Sequence, residues 1–213
     1  MAGNEYQMIR INYYCILSAC LTALFFAGVS PASAATSTAD LDQDQDGLPD
    51  RLEKLFGADP LNADTDGDGY TDRAEVFNGY SPTSTTPARL QKSLYVHLKT
   101  QVMEQRVMDI PIATYQISTG KKGLPTPTGT FSILNKKPRA WSRASRLWMP
   151  WWMLFSKKGQ AIHELPEWPN GKKEGADHLG TPVSHGCVRL GVGPAKLLYD
   201  WAPVGMPVVI VSK

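Results

Sequence analysis

Histidine and cysteine are scarce in this chain, four and three among 213 residues, and the shortage is sharper than the counts suggest. Cys15 and Cys20 fall in the N-terminal apolar stretch Ile11 to Val29, which is preceded by Arg10 and followed by Ser30-Pro31-Ala32-Ser33-Ala34. That pattern reads as a secretory signal peptide with cleavage expected after Ala34. An uncleaved anchor and lipidation at Cys20 within Leu17-Ser18-Ala19-Cys20 rank below it. Cleavage leaves Cys187 alone, which excludes a disulfide framework and, in an oxidising compartment, leaves a reactive thiol, an intermolecular partner or a small buried hydrophobe. Past Val29 no apolar run is long enough to span a bilayer, so no membrane contact is expected after signal cleavage. Clear helical periodicity is also lacking: only Pro194 to Trp201 places Leu197, Leu198 and Trp201 on one face. No nucleic-acid-binding signature is present, and no nucleic-acid partner is expected.

Charge divides what remains. From Asp40 to Glu75 there are ten Asp and two Glu against Arg51, Lys54 and Arg73, a formal −9, whereas Val76 to Lys213 carries +11. The net charge of +2 therefore hides an acidic module at 35–80 joined to a basic domain at 92–213. The connecting segment 81–91 begins Ser81-Pro82-Thr83-Ser84-Thr85-Thr86-Pro87, whose composition is that of a linker. With export, the basic surface (Lys121, Lys122, Lys136, Lys137, Arg139, Arg143, Arg146) suits an anionic wall polymer, with a merely solvated face as the alternative.

The acidic module repeats itself with a period of 22 residues. Asp42-x-Asp44-x-Asp46-Gly47-x-x-Asp50-x-x-Glu53 returns as Asp64-x-Asp66-x-Asp68-Gly69-x-x-Asp72-x-x-Glu75. Each copy has the donor pattern of a calcium loop: carboxylates at alternate positions, glycine for the sharp turn, a backbone carbonyl from Leu48 or Tyr70, and a closing Glu able to chelate with both oxygens. Ca2+ is thus expected in both loops, in a structural role. No amphipathic helix enters the first loop, so a full EF-hand pair is not expected. Pro49 is expected to deny the first loop a backbone donor for pairing. The module resembles bacterial thrombospondin type 3 repeats, which implies loops stacked around calcium with little apolar core.

The basic half alternates apolar and polar residues in Ser93–Leu98, Arg106–Ile112 and Ala113–Ser118, continues through Thr126–Ile133, and ends in Pro207–Val211. These segments predict a mostly β, β-sandwich-like domain with one short helix. His97 is expected on the strand surface. Trp141, Trp148, Trp151 and Trp152 with Met149 and Met153 are expected to pack together and to cover part of a peptide-binding cleft.

Cys187 lies in Ser184-His185-Gly186-Cys187-Val188-Arg189. A thiol is mostly protonated at neutral pH, with a pKa of roughly 8.5, so nucleophilic work calls for a base or cation beside it, and histidine serves as either. Together with Ile117-Ser118-Thr119-Gly120, Thr126-Pro127-Thr128-Gly129-Thr130-Phe131, Met149-Pro150-Trp151-Trp152-Met153 and Ile162-His163, this segment resembles the L,D-transpeptidase catalytic domain of the YkuD type from about Lys92 to Val211. The resemblance implies Cys187 as nucleophile and His163 as its base, oriented by the Glu164 carbonyl. Ser184, His185 and Gly186 would shape the turn and the oxyanion environment. Spacing alone leaves both His163 and His185 open as the group that polarises the thiol. Arg189, a position where the family carries Asn or Arg, would bind a substrate carboxylate or form a structural ion pair. The twenty residues between His163 and Ser184 exceed the usual family gap and imply a loop beside the cleft, with His178 in it.

The expected function is an exported cysteine L,D-transpeptidase of the periplasm or cell wall. It would acylate Cys187 with a peptidoglycan stem peptide and pass the acyl group to an amine, with no cofactor for the chemistry. Transfer to water would make it an L,D-carboxypeptidase. A calcium-dependent wall-binding protein without activity is the reading from another class.

Overall fold

The computed structural model describes residues 41–212. The leader expected at 1–34, with Cys15 and Cys20, lies outside the described residues, and no described helix is long and apolar enough to cross a membrane.

Each acidic loop leads into a short helix, α1 (Asp50–Phe56) and α2 (Asp72–Asn78). Both helices stop at a glycine in the left-handed region, Gly57 at φ 81° and Gly79 at φ 78°, a backbone state that side-chain-bearing residues adopt only with strain. The starts differ. Thr71 Oγ1 accepts a hydrogen bond from the Ala74 amide, whereas Pro49 caps nothing. In both copies a hydrogen bond within the repeat closes the loop: Asp50 N donates to Leu41 O at 2.8 Å and Asp72 N to Ala63 O at 3.0 Å. The proline therefore costs its helix a side-chain cap.

Nine strands follow: β1 (Lys92–His97), β2 (Val102–Val107), β3 (Ile110–Ser118), β4 (Gly129–Ser132), β5 (Asn135–Ser142), β6 (Leu147–Leu154), β7 (Ala161–Glu164), β8 (Val188–Leu190) and β9 (Pro207–Val211). They hydrogen-bond in the order β4-β9-β1-β2-β3-β8-β7-β6-β5. Only β1 with β9 and β7 with β8 run parallel. The segment expected as one strand over 106–112 is broken by a tight turn at Met108 and Asp109, both at positive φ (50° and 63°). A two-residue turn of this kind matches the right-handed twist of its strands, and here no glycine or asparagine announces it. The curled sheet encloses one core. Leu94, Val96 and Met103 from one end meet Met153, Ile162 and Val188 from the other, and α3 (Pro194–Trp201) adds Ala195 and Leu198.

A second apolar cluster joins the two modules. Leu48, Leu52 and Val76 of the acidic repeats pack with Val107 and Ile112, which flank the β2–β3 turn, while Phe77 and Trp201 lie against them. The Trp201 indole N–H donates to the Phe77 carbonyl at 2.5 Å. The connecting segment folds back: Leu90 N donates to Gly79 O at 2.8 Å, and Tyr80 pairs with Arg89. The repeats thus have more apolar core than loops stacked on metal alone would need, because the residues between their acids find a partner in the neighbouring sheet.

Leu52 is 2% exposed, and Leu52→Ala is expected to cost about 2–5 kcal/mol, the usual range for truncating a core leucine. Urea unfolding followed by tryptophan fluorescence and by far-UV dichroism should lose both signals at one lowered midpoint. A dichroism change that leaves the fluorescence transition unmoved would show that the modules do not share a core.

Candidate active site and calcium loops

The chemistry-bearing residues are brought together by strand register. In the parallel β7–β8 ladder Ile162 pairs with Val188 and His163 with Arg189. Side chains alternate between faces along a strand, so Ile162 and Val188 enter the core. Cys187, two residues before Arg189, then shares the opposite face with Arg189 and His163. These three, with Ser184, His185, Met149 and Pro166, line a cleft of about 130 Å³.

His163 is 2% exposed, and its Nδ1 lies 2.6 Å from the Glu164 carbonyl. A carbonyl only accepts, so Nδ1 carries the proton and Nε2 is left as the basic nitrogen. Burial, against the hydrogen bond to Glu164 and with a smaller contribution from Arg189, lowers its pKa to about 4. Burial pushes the half-buried Cys187 thiol up, opposed by a backbone hydrogen bond at Ala161 and by the charge of Arg189. The resting pair is a neutral thiol beside a neutral imidazole.

The turn before Cys187 is held by its own polar groups. Ser184 Oγ donates to the Cys187 carbonyl at 2.6 Å and accepts from the Gly186 amide at 3.1 Å. Both Ser184 and Gly186 are thereby committed to the turn, while His185 is exposed on the cleft wall. Thr126 extends the bracing: Oγ1 accepts from the Gly120 amide at 2.9 Å and donates to the Gly186 carbonyl at 3.1 Å. Ser184 N also donates to Thr119 O at 2.9 Å. A Cβ on Gly120 would stand 2.2 Å from the Leu124 carbonyl oxygen, so only glycine fits. Thr126 and Gly120 occur in the quoted motifs, but nothing in sequence spacing shows that they hold the turn before Cys187.

The segment after His163 is an ordered hairpin. Glu167 pairs with Lys173, and Glu167 exchanges backbone hydrogen bonds with Trp148 at 2.8 and 2.9 Å. Lys173 bonds both Glu164 and Glu167, and Arg139 also reaches Glu167. Beyond the hairpin, Glu174 Oε2 comes to 3.5 Å from Arg189 Nη2, and His178 Nδ1 lies 3.5 Å from Arg189 Nη1. Glu174 and His178 therefore belong to the surroundings of Arg189, a contact that sequence reasoning missed. Of the tryptophan and methionine group, Met149 lines the cleft, whereas Trp141 stacks edge-on against Trp148 and Trp151 packs on Tyr199. His97 Nε2 lies 3.2 Å from the Glu104 carboxylate at the sheet surface. Part of the basic surface is spent internally, since Lys136 donates to the Ala202 carbonyl at 2.6 Å and to that of Tyr199.

In the acidic loops, single carboxylate oxygens of Asp42, Asp44 and Asp46 converge within 4.8 Å, as do those of Asp64, Asp66 and Asp68. Asp44 Oδ2, both oxygens of Glu53, Asp66 Oδ2 and Glu75 Oε2 are buried without any hydrogen-bond partner. Buried, unpartnered anionic oxygens are costly unless a cation meets them, so the residues fit Ca2+. Asp50 and Asp72 are placed differently: both oxygens of Asp50 accept from Gln43, and both of Asp72 accept from Thr65. Their carboxylates brace the loops. The backbone amides of Leu48 and Tyr70 bond Asp46 and Asp68, at 2.6 and 2.9 Å. Burial and the neighbouring carboxylates raise Glu53 and Glu75 from 4.5 to about 7.

Comparison with known proteins follows the same division. Residues 91–210 match the YkuD L,D-transpeptidase catalytic domain, and residues 42–63 and 64–79 match the bacterial TSP3 repeat. Over 130 residues the chain is 31% identical to "Putative L,D-transpeptidase YciB" of Bacillus subtilis (strain 168), covering 56% of this chain and 67% of the relative. Among solved structures, an L,D-transpeptidase (Yku) from Stackebrandtia nassauensis is 25% identical with a TM-score of 0.50, covering 59% of this chain and 58% of that one. L,D-transpeptidase 3 from Mycobacterium tuberculosis in complex with a faropenem-derived adduct is 18% identical with a TM-score of 0.51, covering 59% and 61%, and shares the fold. The chain thus spans about 60% of the length of the solved structures it matches.

With calcium chelated, the folded state keeps protons on Glu53 and Glu75 up to about pH 7, whereas in the unfolded chain they leave near 4.5. Folding then binds protons between those values, so these groups weaken the metal-free fold as pH rises through that window. The rise in Tm produced by calcium is expected to be larger at pH 8 than at pH 5, where the metal must displace protons. His163 titrates identically with and without calcium and cancels in that difference. A calcium effect that is greatest at pH 5, or absent at both pH values, would contradict the metal sites.

Proposed function

The chain belongs to the YkuD family of L,D-transpeptidase catalytic domains, and we propose that it is an exported cysteine transpeptidase that remodels peptidoglycan. The observation that carries this reading is the β7–β8 register, which sets a neutral imidazole with a free Nε2 on the same cleft face as the Cys187 thiol. The His163 Nε2 takes the thiol proton as Cys187 Sγ attacks the carbonyl carbon of the bond between an L-centre and the terminal D-amino acid of a stem peptide. The C–N bond breaks, the proton on His163 goes to the departing amine, and a thioester remains. An amine of a neighbouring stem then attacks the thioester carbon, its proton returns through His163, and the thiol is restored. Because the thiol and imidazole start uncharged, proton transfer accompanies attack and no ion pair has to be held in a dry cleft. Arg189 binds a carboxylate of the stem, and Ser184 and Gly186 hold the turn that presents the thiol. His185, exposed on the cleft wall, faces the substrate rather than the buried thiol–imidazole pair.

The TSP3 repeats bind calcium as a structural element. Asp42, Asp44, Asp46, Glu53 and the Leu48 carbonyl would hold one ion, and Asp64, Asp66, Asp68, Glu75 and the Tyr70 carbonyl the other, with Asp50 and Asp72 behind them. The bound cation supplies charge neutralisation.

Mass spectrometry of purified protein incubated with muropeptides tests the reaction. Wild type is expected to give cross-linked dimers and to form a covalent adduct with faropenem, and Cys187→Ala to give neither. Trimmed monomers would make the enzyme a carboxypeptidase, and bound but unaltered substrate would leave only wall binding. His163→Ala is expected to slow acylation by about 10²–10⁴-fold, the usual range for a general base. Because His163 is held neutral down to about pH 4, wild-type acylation should fall only as pH drops through that value. A loss centred near 6.5, the ordinary histidine value, would assign the base to a different group.

A further inference from the structure

We propose that a cavity on the outer face of the sheet, sharing no residue with the Cys187 cleft, binds a glycan chain of N-acetylated amino sugars. The identity of the polymer rests on the peptidoglycan reading, and the site itself rests on a second convergence of polar groups. Gln91, Ser93, Tyr95, Asp109 and Thr130, with Pro207 and Val209, surround about 320 Å³, inside the usual range of roughly 300–1,000 Å³ for small-ligand sites. Among the described residues, no other group takes the side-chain hydrogen-bonding atoms of Gln91, Ser93, Asp109 or Thr130. Four polar side chains thus line one cavity with their bonds unmade, and a polyhydroxylated ligand can meet all of them.

Strand register builds this cavity as it builds the active site. Leu94, Val96, Val208 and Ile210 enter the core, so the alternate residues Ser93, Tyr95, Pro207 and Val209 face outward. Val209 pairs with Tyr95 on one side and with Thr130 on the other, which aligns the three across β1, β9 and β4. Asp109 arrives from the turn after β2, where Met108 N donates to the Gln91 carbonyl at 2.9 Å. At φ 63° that position favours glycine, and aspartate there brings a carboxylate to the cavity instead. The lining selects the ligand chemistry. Asp109 is its one charged side chain. The adjacent Arg106 is already bonded to Glu104 at 2.5 Å and stacked over the Tyr95 ring at 4.2 Å, so an anion finds no free cation. A peptide that adds a strand needs an unpaired edge, whereas β9 is paired on both sides. A sugar ring satisfies the set: its hydroxyls donate to Asp109 and exchange hydrogen bonds with Gln91, Ser93 and Thr130, while its C–H face and acetamide methyl lie on Pro207 and Val209.

Calorimetric titration of the wild-type protein with an N-acetylglucosamine tetramer, a glycan that carries no stem peptide, tests the site. Saturable binding at one site is expected, and cellotetraose, which has the same linkage without acetamides, should bind several-fold more weakly. Asp109→Asn keeps a residue that tolerates positive φ and is expected to lower the tetramer affinity about tenfold, the scale of one hydrogen bond to a charged group. Thr130→Val, which keeps the shape and removes the hydroxyl, should lower it by about threefold. Both variants should unfold at the wild-type Tm. No binding of the tetramer, equal binding of cellotetraose, or tetramer affinity that survives both substitutions would overturn the site. Turnover of a sugar-free stem peptide is read separately and is expected to be unchanged by Asp109→Asn. Turnover without tetramer binding defeats the glycan site alone, and tetramer binding without turnover defeats the enzymatic reading alone.

Discussion

The parallel pairing of β7 with β8 is the constraint on which the rest of the site depends. Three residues of β8 and four of β7 place His163 opposite Arg189 and put Cys187 at the mouth of the ladder. A one-residue slip would turn His163 into the core and Ile162 into the cleft. That slip is prevented from the core side, where Ile162, Val188 and Leu190 are each fully buried. The same apolar residues that fold the sheet therefore aim the polar ones into the cleft, alongside the turn braced by Ser184 and Thr126.

The acidic repeats play a comparable part at the far end of β2 and β3. Two loops rich in carboxylates cannot fold on their own charges, and their buried orphan oxygens would oppose folding if nothing neutralised them. Leu48, Leu52 and Val76 contribute the opposing stabilisation by docking on Val107 and Ile112. Trp201, at the end of α3, touches both this cluster and the main core. The acidic loops and the packing of the nine-stranded sheet are thus linked through contiguous side chains rather than through a tether.

Much of this was legible in the sequence because the signals were local. The calcium loops declare themselves by fixed spacing, α3 by its apolar face, and β1, β3 and β9 by alternation. Cys187 stands in a short motif with a histidine upstream, and the family resemblance supplied their order. What could not be read are contacts between distant segments. The β5–β6 hairpin has its charges and aromatics stacked on one another, as with Arg139 over Trp148 at 4.5 Å, which conceals the alternation that marks an ordinary strand. The Met108–Asp109 turn has no glycine or asparagine, and its one residue tolerant of positive φ, Asp109, follows a methionine that is not. The linker composition at Ser81–Pro87 hides a folded-back connection, since hydrogen bonds between Gly79 and Leu90 leave no trace in composition. Glu174 meets Arg189 only because the hairpin between them is anchored to Trp148 and Glu164.

Cys187 is the one free thiol among the described residues, and it is held protonated. Oxidants and alkylating agents attack the thiolate, at rates that follow its abundance and accessibility. A thiol whose pKa is raised by burial reacts more slowly with peroxide and in stray disulfide exchange than an exposed one. In the exported setting proposed above, that inertness at rest would slow the loss of the thiol to oxidation.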